Sequence, residues 1–495
     1  RIVLPSATHR DCLATPNAGG SVEVEKATTA RARGLFEHEM AVEKHRLHPG
    51  EQGIAAIQMA PARLNHPHLW IGKEIDRLAQ QMRRRNKIGI ENTDEFTARG
   101  SQPSFQRPGF EADRFALMAM DLGSGKTHEI DPQWDRSADG ITLSDDGKTI
   151  YTTAQNLGEH PLFAVDIASG GVTEVVGDGT ISAFDIAGPT LAFARNSMKS
   201  GDQLFTGGIG GAPGIPPKFR AITRSASEML PDVKFGEYQQ FTFKGWHGDT
   251  VHGYVVKPWN YQEGKTYPVA FLIHGGPQGS FGDGWSYRWN PQTYAGQGYA
   301  VVMVDFHGST GYGQAFTDAI SQHWGDRPLV DLQKGWDAAL KQNSFLNGDK
   351  ACALGASYGG YMTYWIAGNW QQPWKCLVAH DGVFDNRTMG YATEELWFSE
   401  WENGGTPYDN PKGYEQFNPI AHVKDWSVPM LVIHSEKDYR IPVDQGIAAF
   451  TALQRKGIES KFLYFPDENH WVLKPQNSVL WHDTVNAWLK AHIGR

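Results

Sequence analysis

The stretch Leu354-Gly355-Ala356-Ser357-Tyr358-Gly359-Gly360-Tyr361 constrains this chain more than any other, because it can set one serine on a tight turn between a strand and a helix. The apolar run 351–354 before it is short enough for a buried parallel strand, and 361–367 after it reads as a buried helix. Small residues at Gly355, Ala356, Gly359 and Gly360 let the two backbones approach and let the serine take strained dihedrals. The pattern alone proves little, since with 55 glycines in 495 residues a Gly-x-Ser-x-Gly arises by chance roughly 0.3 to 0.4 times. Its partners must carry the case.

A nucleophilic serine needs a base and a carboxylate that orients the base, and on this architecture they follow in the order Ser, Asp or Glu, His. The apolar strand 428–434 runs into a loop carrying Asp438, and the strand 461–465 runs into a loop carrying His470. Taken singly, Asp438 reads as a helix cap or surface carboxylate and His470 as a loop histidine. As an ordered set at three strand ends, Ser357, Asp438 and His470 emerge at one edge of a parallel sheet, where such sheets bind ligands. A fourth strand, 269–273, enters His274-Gly275-Gly276-Pro277. Its unshielded backbone N–H groups, with that of Tyr358, suit a developing oxyanion, although the same residues in isolation would be a simple turn.

Strands are expected at 268–273, 299–304, 351–354, 377–379, 430–434 and 461–465, with an amphipathic helix at 328–341. That pattern is a doubly wound, mostly parallel α/β-hydrolase sheet over residues 235–495. Upstream, segments 115–126, 141–151 and 162–171 read as short strands joined by Asp/Ser/Gly turns, which suggests blades of an N-terminal β-propeller within 1–234. Gly123-Ser124-Gly125-Lys126-Thr127 imitates the end of a phosphate-binding loop but has Met120 where that motif needs glycine. His38-Glu39 lacks the second histidine of a zincin helix. Residues 1–105 do not read as blades; 31–53 looks helical and 80–87 is a basic run.

The net charge of −9 gives no reason to expect nucleic acid or an anionic membrane as partner, and no apolar run approaches membrane-spanning length. The chain begins Arg1-Ile2-Val3-Leu4, which reads as a mature or trimmed product. Of three cysteines, Cys352 and Cys376 begin adjacent expected strands, so a bond between them and two buried thiols are both open, and Cys12 is left over.

From about Phe235 onward the chain resembles the prolyl oligopeptidase family of serine peptidases. The resemblance is carried by Val251-His252-Gly253-Tyr254, the 274–277 turn, Gly308-Ser309-Thr310-Gly311-Tyr312-Gly313, the Ser357 elbow and the Asp438 and His470 loops. The phrases 305–316 and 380–385 point to a branch that removes dipeptides from free peptide N-termini, with His307 departing from the arginine of many relatives. The resemblance implies that Ser357 attacks the scissile carbonyl, His470 is base then acid, Asp438 orients the imidazole, and Gly276 and Tyr358 form the oxyanion hole. It also implies a substrate carbonyl contact for Arg440, which otherwise reads as a surface salt bridge. Tyr358, Phe384 and Trp397 are candidates for an apolar specificity pocket or plain core. Glu394 and Glu395 are candidates for the substrate amine or helix-surface acids.

The implied reaction uses no cofactor or metal. Its partners are oligopeptide substrates, a homodimer is in keeping with the family, and the branch leans to a periplasmic or secreted setting with the cytoplasm still open. Relatives carry seven or eight blades, at roughly 40 to 50 residues each, more than 1–234 can hold. Either the propeller is reduced or segments are omitted. The second is preferred, because too few blades leave open sheet edges. The competing functional readings are an acylaminoacyl-peptidase, oligopeptidase or esterase with the same triad, and a noncatalytic binding protein on this scaffold.

Overall fold

The computed structural model describes residues 2–3, 107, 110–121, 123–209 and 218–494. The chain divides into one unit of Arg1–Ser6 and Phe96–Arg495 and another of Ala7–Glu95, and the described residues all fall in the first. The expected helix at 31–53, the basic run 80–87, the His38-Glu39 pair and Cys12 lie outside the described residues.

Eight strands build the sheet that carries the site: β1 (Tyr238–Lys244), β2 (Thr250–Val256), β3 (Tyr267–Ile273), β4 (Ala300–Asp305), β5 (Leu346–Ala356), β6 (Trp374–His380), β7 (Met430–Ser435) and β8 (Ser460–Phe465). Their spatial order is β1-β2-β4-β3-β5-β6-β7-β8, with the two-residue strand Ile2–Val3 beyond β8. From β4 to β8 all pairs are parallel, and β1 and β2 form an antiparallel ribbon on one side. Every residue of β3, β4 and β7 is buried. Such runs of apolar residues suit strands covered on both faces, where alternation has no use. Six helices matter below: α1 (Arg327–Gln342), α2 (Tyr358–Asn369), α3 (Asn386–Ala392), α4 (Leu396–Asn403), α5 (Asp444–Arg455) and α6 (Pro475–Ile493). Helix α1 starts where Asp326 accepts from the Arg327 N–H ahead of Pro328, a carboxylate cap with proline in the first turn.

Strands β5 and β6 both begin before the expected residues, β6 at Trp374. Strand β5 begins at Leu346, five residues before the apolar run, because Leu346 and Asn347 pair with Tyr267 and Pro268 across a register shift. After buried Leu346 the residues 347–350 are polar or glycine and half-buried or exposed, so hydrophobicity does not mark them. In β5 and β6 Cys352 stands directly opposite Cys376, and the two form a disulfide, both side chains fully buried.

Upstream lie two four-stranded antiparallel meanders and a hairpin. The first runs Thr142–Leu143, Thr149–Thr153, Leu162–Asp166, Val172–Val176; the second Thr180–Ala187, Thr190–Ser197, Ser200–Gly208, Phe219–Ala221. Both have the form of propeller blades. The hairpin pairs Met118–Met120 with Thr127–Glu129, and its turn is closed by Asp121 N–H to Lys126 O (2.9 Å). The imitation phosphate loop therefore lies at the turn of a β-hairpin and runs into its second strand. The blades dock on the hydrolase through Met198 N–H to Asp283 (2.8 Å), Tyr254 OH to the Gly158 carbonyl (3.1 Å) and a forked Arg107–Asp318 pair.

Candidate active site

Ser357 sits between β5 and α2 at φ 59°, ψ −121°, a region that a residue with a side chain occupies only when its surroundings impose it. Three close approaches impose it here. A Cβ on Gly359 would lie 2.1 Å from the Ile273 carbonyl oxygen, one on Gly355 2.5 Å from the Gly359 backbone, and one on Gly360 2.6 Å from the His380 carbonyl. The Ser357 N–H donates to that His380 carbonyl (2.9 Å), which ties the turn to the neighbouring strand. Helix α2 then runs through the core with nearly every residue buried.

The acid loop leaves β7. Asp438 Oδ1 accepts from the N–H groups of Arg440 (3.0 Å) and Ile441 (2.9 Å), and Oδ2 lies 2.6 Å from His470 Nδ1. Burial pushes the Asp438 carboxyl up, but the His470 hydrogen bond and the nearby histidines outweigh it and hold the group below the usual carboxylate range. The histidine loop leaves β8 and is shaped by buried Glu468, which accepts from the Leu473 and Lys474 N–H groups and from Asn477. Lys437 N–H to Glu468 O (3.0 Å) joins the two loops, and Arg288 Nη1 donates to the His470 carbonyl (2.7 Å). Nδ1 is thus committed to Asp438, which leaves Nε2 for the serine. Ser357 and His470 share the wall of one cavity, and their direct hydrogen bond is not formed in this structure. Links of this kind commonly tighten only when substrate binds.

Gly276 stands at φ 126° on the same wall. The preceding His274 is locked by Ser309 Oγ (2.8 Å from Nε2) and stacks on Phe306 at 4.2 Å, which holds the loop leaving β3. Tyr358 is the first residue of α2, so its N–H has no partner within the helix and is free for an oxyanion.

The cavity, of about 420 Å³, is also lined by Phe110, Glu111, Trp324, Val383, Met389, Glu395, Trp397, Phe398 and Arg440. Trp324 crosses Tyr358 edge-on at 5.2 Å and accepts from the Tyr358 hydroxyl through its carbonyl (2.7 Å). Trp397 and Tyr358 therefore lie where expected. Phe384 does not: it is buried in the core between Tyr364 and Trp426, and Val383 and Met389 face the cavity instead. The chain turns after β6 so that alternate side chains diverge. Arg440 lines the cavity and is ion-paired, 2.8 Å from Glu395 and 3.7 Å from exposed Glu394. Glu395 is raised by partial burial, with Arg440 pulling the other way and Glu111 and Glu394 pushing up.

Other contributors carry no motif. Arg288 and Trp324 are single residues in long loops. Glu402, on α4, is buried and accepts from Trp324 Nε1 (2.7 Å), Gln278 (2.8 Å) and Ser321 (3.2 Å). Burial without a cation pushes its carboxyl up to about 7. Phe110 and Glu111 come from the segment ahead of the first blade. Asp381, His434 and Asp438 could bring one ligand atom each to a metal, but His434 Nε2 faces the Ile441 carbonyl (2.8 Å) and Asp438 Oδ2 is taken by His470.

Residues 285–495 match the model of the prolyl oligopeptidase family. Among curated proteins, dipeptidyl-peptidase 5 of Schizosaccharomyces pombe is 40% identical over 392 residues, 78% of this chain and 56% of that protein. Dipeptidyl-peptidase 5 of Aspergillus fumigatus is 39% identical over 401 residues, 78% of this chain and 54% of its own. The chain thus spans about half the length of the curated relatives it matches. Among solved structures, an acylaminoacyl peptidase in complex with Z-Gly-Gly-Phe-chloromethyl ketone superposes with a TM-score of 0.69 at 24% identity, over 79% of this chain and 61% of that one. Porphyromonas gingivalis dipeptidyl peptidase 4 superposes with a TM-score of 0.64 at 17% identity, over 76% and 53%. These likenesses show the shared architecture of an α/β-hydrolase with a propeller region before it. The family that this chain is similar to over residues 285–495 is thus the prolyl oligopeptidase family.

Proposed function

We propose that this chain carries the catalytic machinery of a serine peptidase that releases dipeptides from free peptide N-termini, through an acyl-enzyme on Ser357. The observation that carries the reading is a serine held at φ 59° on the wall shared with a histidine whose Nδ1 lies 2.6 Å from a buried carboxylate. In this scheme His470 Nε2 takes the Ser357 proton as Oγ attacks the carbonyl. Asp438 stabilises the imidazolium, and the N–H groups of Gly276 and Tyr358 receive the oxyanion. Protonated His470 then gives its proton to the leaving amine, and water repeats the sequence to free the dipeptide. Trp324, Tyr358, Val383 and Met389 offer an apolar wall for the side chain next to the scissile bond.

The amino-terminal preference is supported by names and by charge. The curated relatives are named dipeptidyl-peptidases, and Glu394 and Glu395 share one guanidinium, Arg440, while Glu111 adds a further negative neighbour to Glu395, which leaves negative charge for an α-ammonium group. A second reading has its own support. Arg440 already holds Glu395 at 2.8 Å, and a neutralised acid suits a blocked N-terminus, as an acylaminoacyl-peptidase would bind. The buried Cys352–Cys376 bond favours an oxidising compartment, periplasmic or secreted.

The deciding experiment hydrolyses one apolar dipeptide amide with its α-amine free and with it acetylated, against Ser357→Ala as blank. Cleavage of the free form alone supports the dipeptidyl reading. Cleavage of the acetylated form moves the chain to the second reading, and no serine-dependent cleavage of either overturns both peptidase readings.

A further inference from the structure

Behind the triad lies a second carboxylate that the scheme above does not use. Asp381 follows β6 and is fully buried, and three features coincide on it. Its backbone stands at φ 45°, which costs a non-glycine residue free energy. Its Oδ2 is buried without a hydrogen-bond partner, whereas buried polar atoms are normally satisfied. That same Oδ2 lies 3.9 Å from His470 Nδ1, the nitrogen that Asp438 holds at 2.6 Å.

The charged neighbours come from every side. On the same segment, His380 Nε2 approaches Oδ2 to 2.8 Å but off hydrogen-bonding geometry. Burial, together with Arg288 and His470, keeps the His380 imidazole well below its usual range and therefore neutral. From β7, His434 Nε2 lies 3.8 Å from Oδ1, which also accepts from the Ser435 N–H (3.3 Å). Asp438, Arg288 and Tyr364 complete the surroundings. A carboxylate placed only to brace the fold would have both oxygens bonded. Here the free oxygen faces the side of the imidazole where positive charge develops during acyl transfer.

We propose that Asp381 is a positioning residue for the triad histidine, a second carboxylate that adds to Asp438 in stabilising the His470 imidazolium and gives Nδ1 an alternative acceptor. The proposal rests on the triad reading above. A shift of the ring by about 1 Å brings Nδ1 within hydrogen-bond reach of Asp381. Burial pushes the Asp381 carboxyl up to about 7, against the pull of His434, with Asp438 adding to the rise and His470 and Arg288 opposing it. Its charge therefore changes in the working range of the site. At low pH Asp381 is neutral and contributes little. As pH rises it ionises, and the imidazolium gains a second negative neighbour, so two coupled ionisations shape the profile.

The test measures kcat/KM from about pH 5 to 9 for hydrolysis of p-nitrophenyl butyrate by the wild type, Asp381→Asn, Asp438→Asn and the double variant, with fluorophosphonate labelling in parallel. An activated ester reports on the serine and histidine whatever the peptide preference, so failure of the dipeptidyl reading leaves the test intact. A wild type that neither hydrolyses nor labels overturns the triad and this proposal together. Asp381→Asn is expected to lose about 3- to 10-fold above pH 7.5 and less than about twofold near pH 5.5. The double variant is expected to fall at least about tenfold below Asp438→Asn. A uniform loss at all pH values, as lower stability would give, or a double variant equal to Asp438→Asn, overturns the proposal. Should Asp381→Asn fail to fold, Asp381→Ser takes its place with the same pH-selective loss expected, and a uniform loss overturns the idea.

Discussion

The hydrolase sheet and the blades before it use the same strands to opposite ends. In β3, β4 and β7 every residue is buried, whereas the blade strand Thr180–Ala187 alternates between buried or half-buried and exposed positions over much of its length. The two apolar clusters among the blades are small, centred on Leu162, Leu191 and Phe193 and on Leu117, Ile150 and Val165, and the hydrolase packs two larger ones against the two faces of its sheet. A sheet covered on both faces can hold a strained turn in place, because everything around it resists relaxation. A blade with a less covered face holds one less firmly, although Leu157 and Asp178 also stand at positive φ among the blades. The proposed chemistry accordingly rests on the first region, and the second contributes Phe110 and Glu111 to the wall of the cavity.

The sharpest way to break this division is Ser357→Ala. It should abolish fluorophosphonate labelling and serine-dependent hydrolysis while leaving the thermal unfolding midpoint close to that of the wild type, since the side chain makes no fold-holding bond. Persistent turnover would mean that the nucleophile lies elsewhere, the blade side included. Next in size is Gly359→Ala. Its Cβ would lie 2.1 Å from the Ile273 carbonyl oxygen, backbone that cannot yield, so urea unfolding should show a loss of about 4 kcal/mol or more together with lost activity. By contrast Gly147→Ala, in a blade turn at φ 70° with open space around it, should cost only about 1 kcal/mol. Equal costs at the two sites would show that the elbow is no more constrained than a surface turn.

The Cys352–Cys376 bond lies in the region that already packs best. Replacing both residues by alanine should lower unfolding free energy by about 3 kcal/mol, from the freedom returned to the unfolded chain across a 24-residue separation. Because both sulfurs are buried, reductant should not open the bond in folded protein. Rapid reduction without denaturant would mean that the sheet opens locally between its two central strands.

This contrast also explains what could be read beforehand. Strands β3 to β8 and helix α1 were legible because continuous apolar runs and one amphipathic period mark them, and so was the placing of Ser357, Asp438 and His470 at one sheet edge, because each follows such a run. The polar start of β5 was not, because its residues pair through backbone alone. Phe384 was misplaced, since sequence does not say which of two adjacent side chains after β6 turns inward. Arg288, Trp324 and Glu402 were silent, and Asp381 was read only as part of the 380–385 phrase: what each touches is settled only when distant loops meet. Glu111 was silent for a further reason, as it reaches the cavity only through the docking of the two regions.

Glu402 tests how those loops are joined. It ties α4 to Gln278, two residues beyond Gly276, and to Trp324, with its carboxyl raised by burial from 4.5 to about 7. A carboxyl with a raised folded pKa holds its proton better in the folded state. Stability is therefore greatest at low pH and declines as pH rises from about 4.5 through 7, by roughly 2 to 3 kcal/mol at this site. Glu402→Gln should remove that decline in unfolding measured between pH 5 and 8. A slope unchanged in the variant would mean that Glu402 is ionised and compensated in the fold.

The smallest effect bears most directly on the comparison. Arg107 grips Asp318 of the hydrolase through both guanidinium nitrogens (2.9 and 3.0 Å) and Asp113 through Nε (2.8 Å), and it lies over the Phe110 ring, which stacks on Trp401 at 4.7 Å. These contacts hold the Phe110–Glu111 wall against α4. The pair with Asp318 is about a third exposed on each side, so its loss should cost no more than about 1 kcal/mol of stability. Its functional effect should be selective. If the blade side only shapes the cavity, Arg107→Ala should raise KM for a free dipeptide amide about two- to fivefold and leave kcat for a small ester untouched, because the ester never reaches Glu111. An equal fall in ester turnover would show that the docking of the two regions also sets the triad, and the hydrolase sheet would then not be the self-sufficient platform that its burial implies.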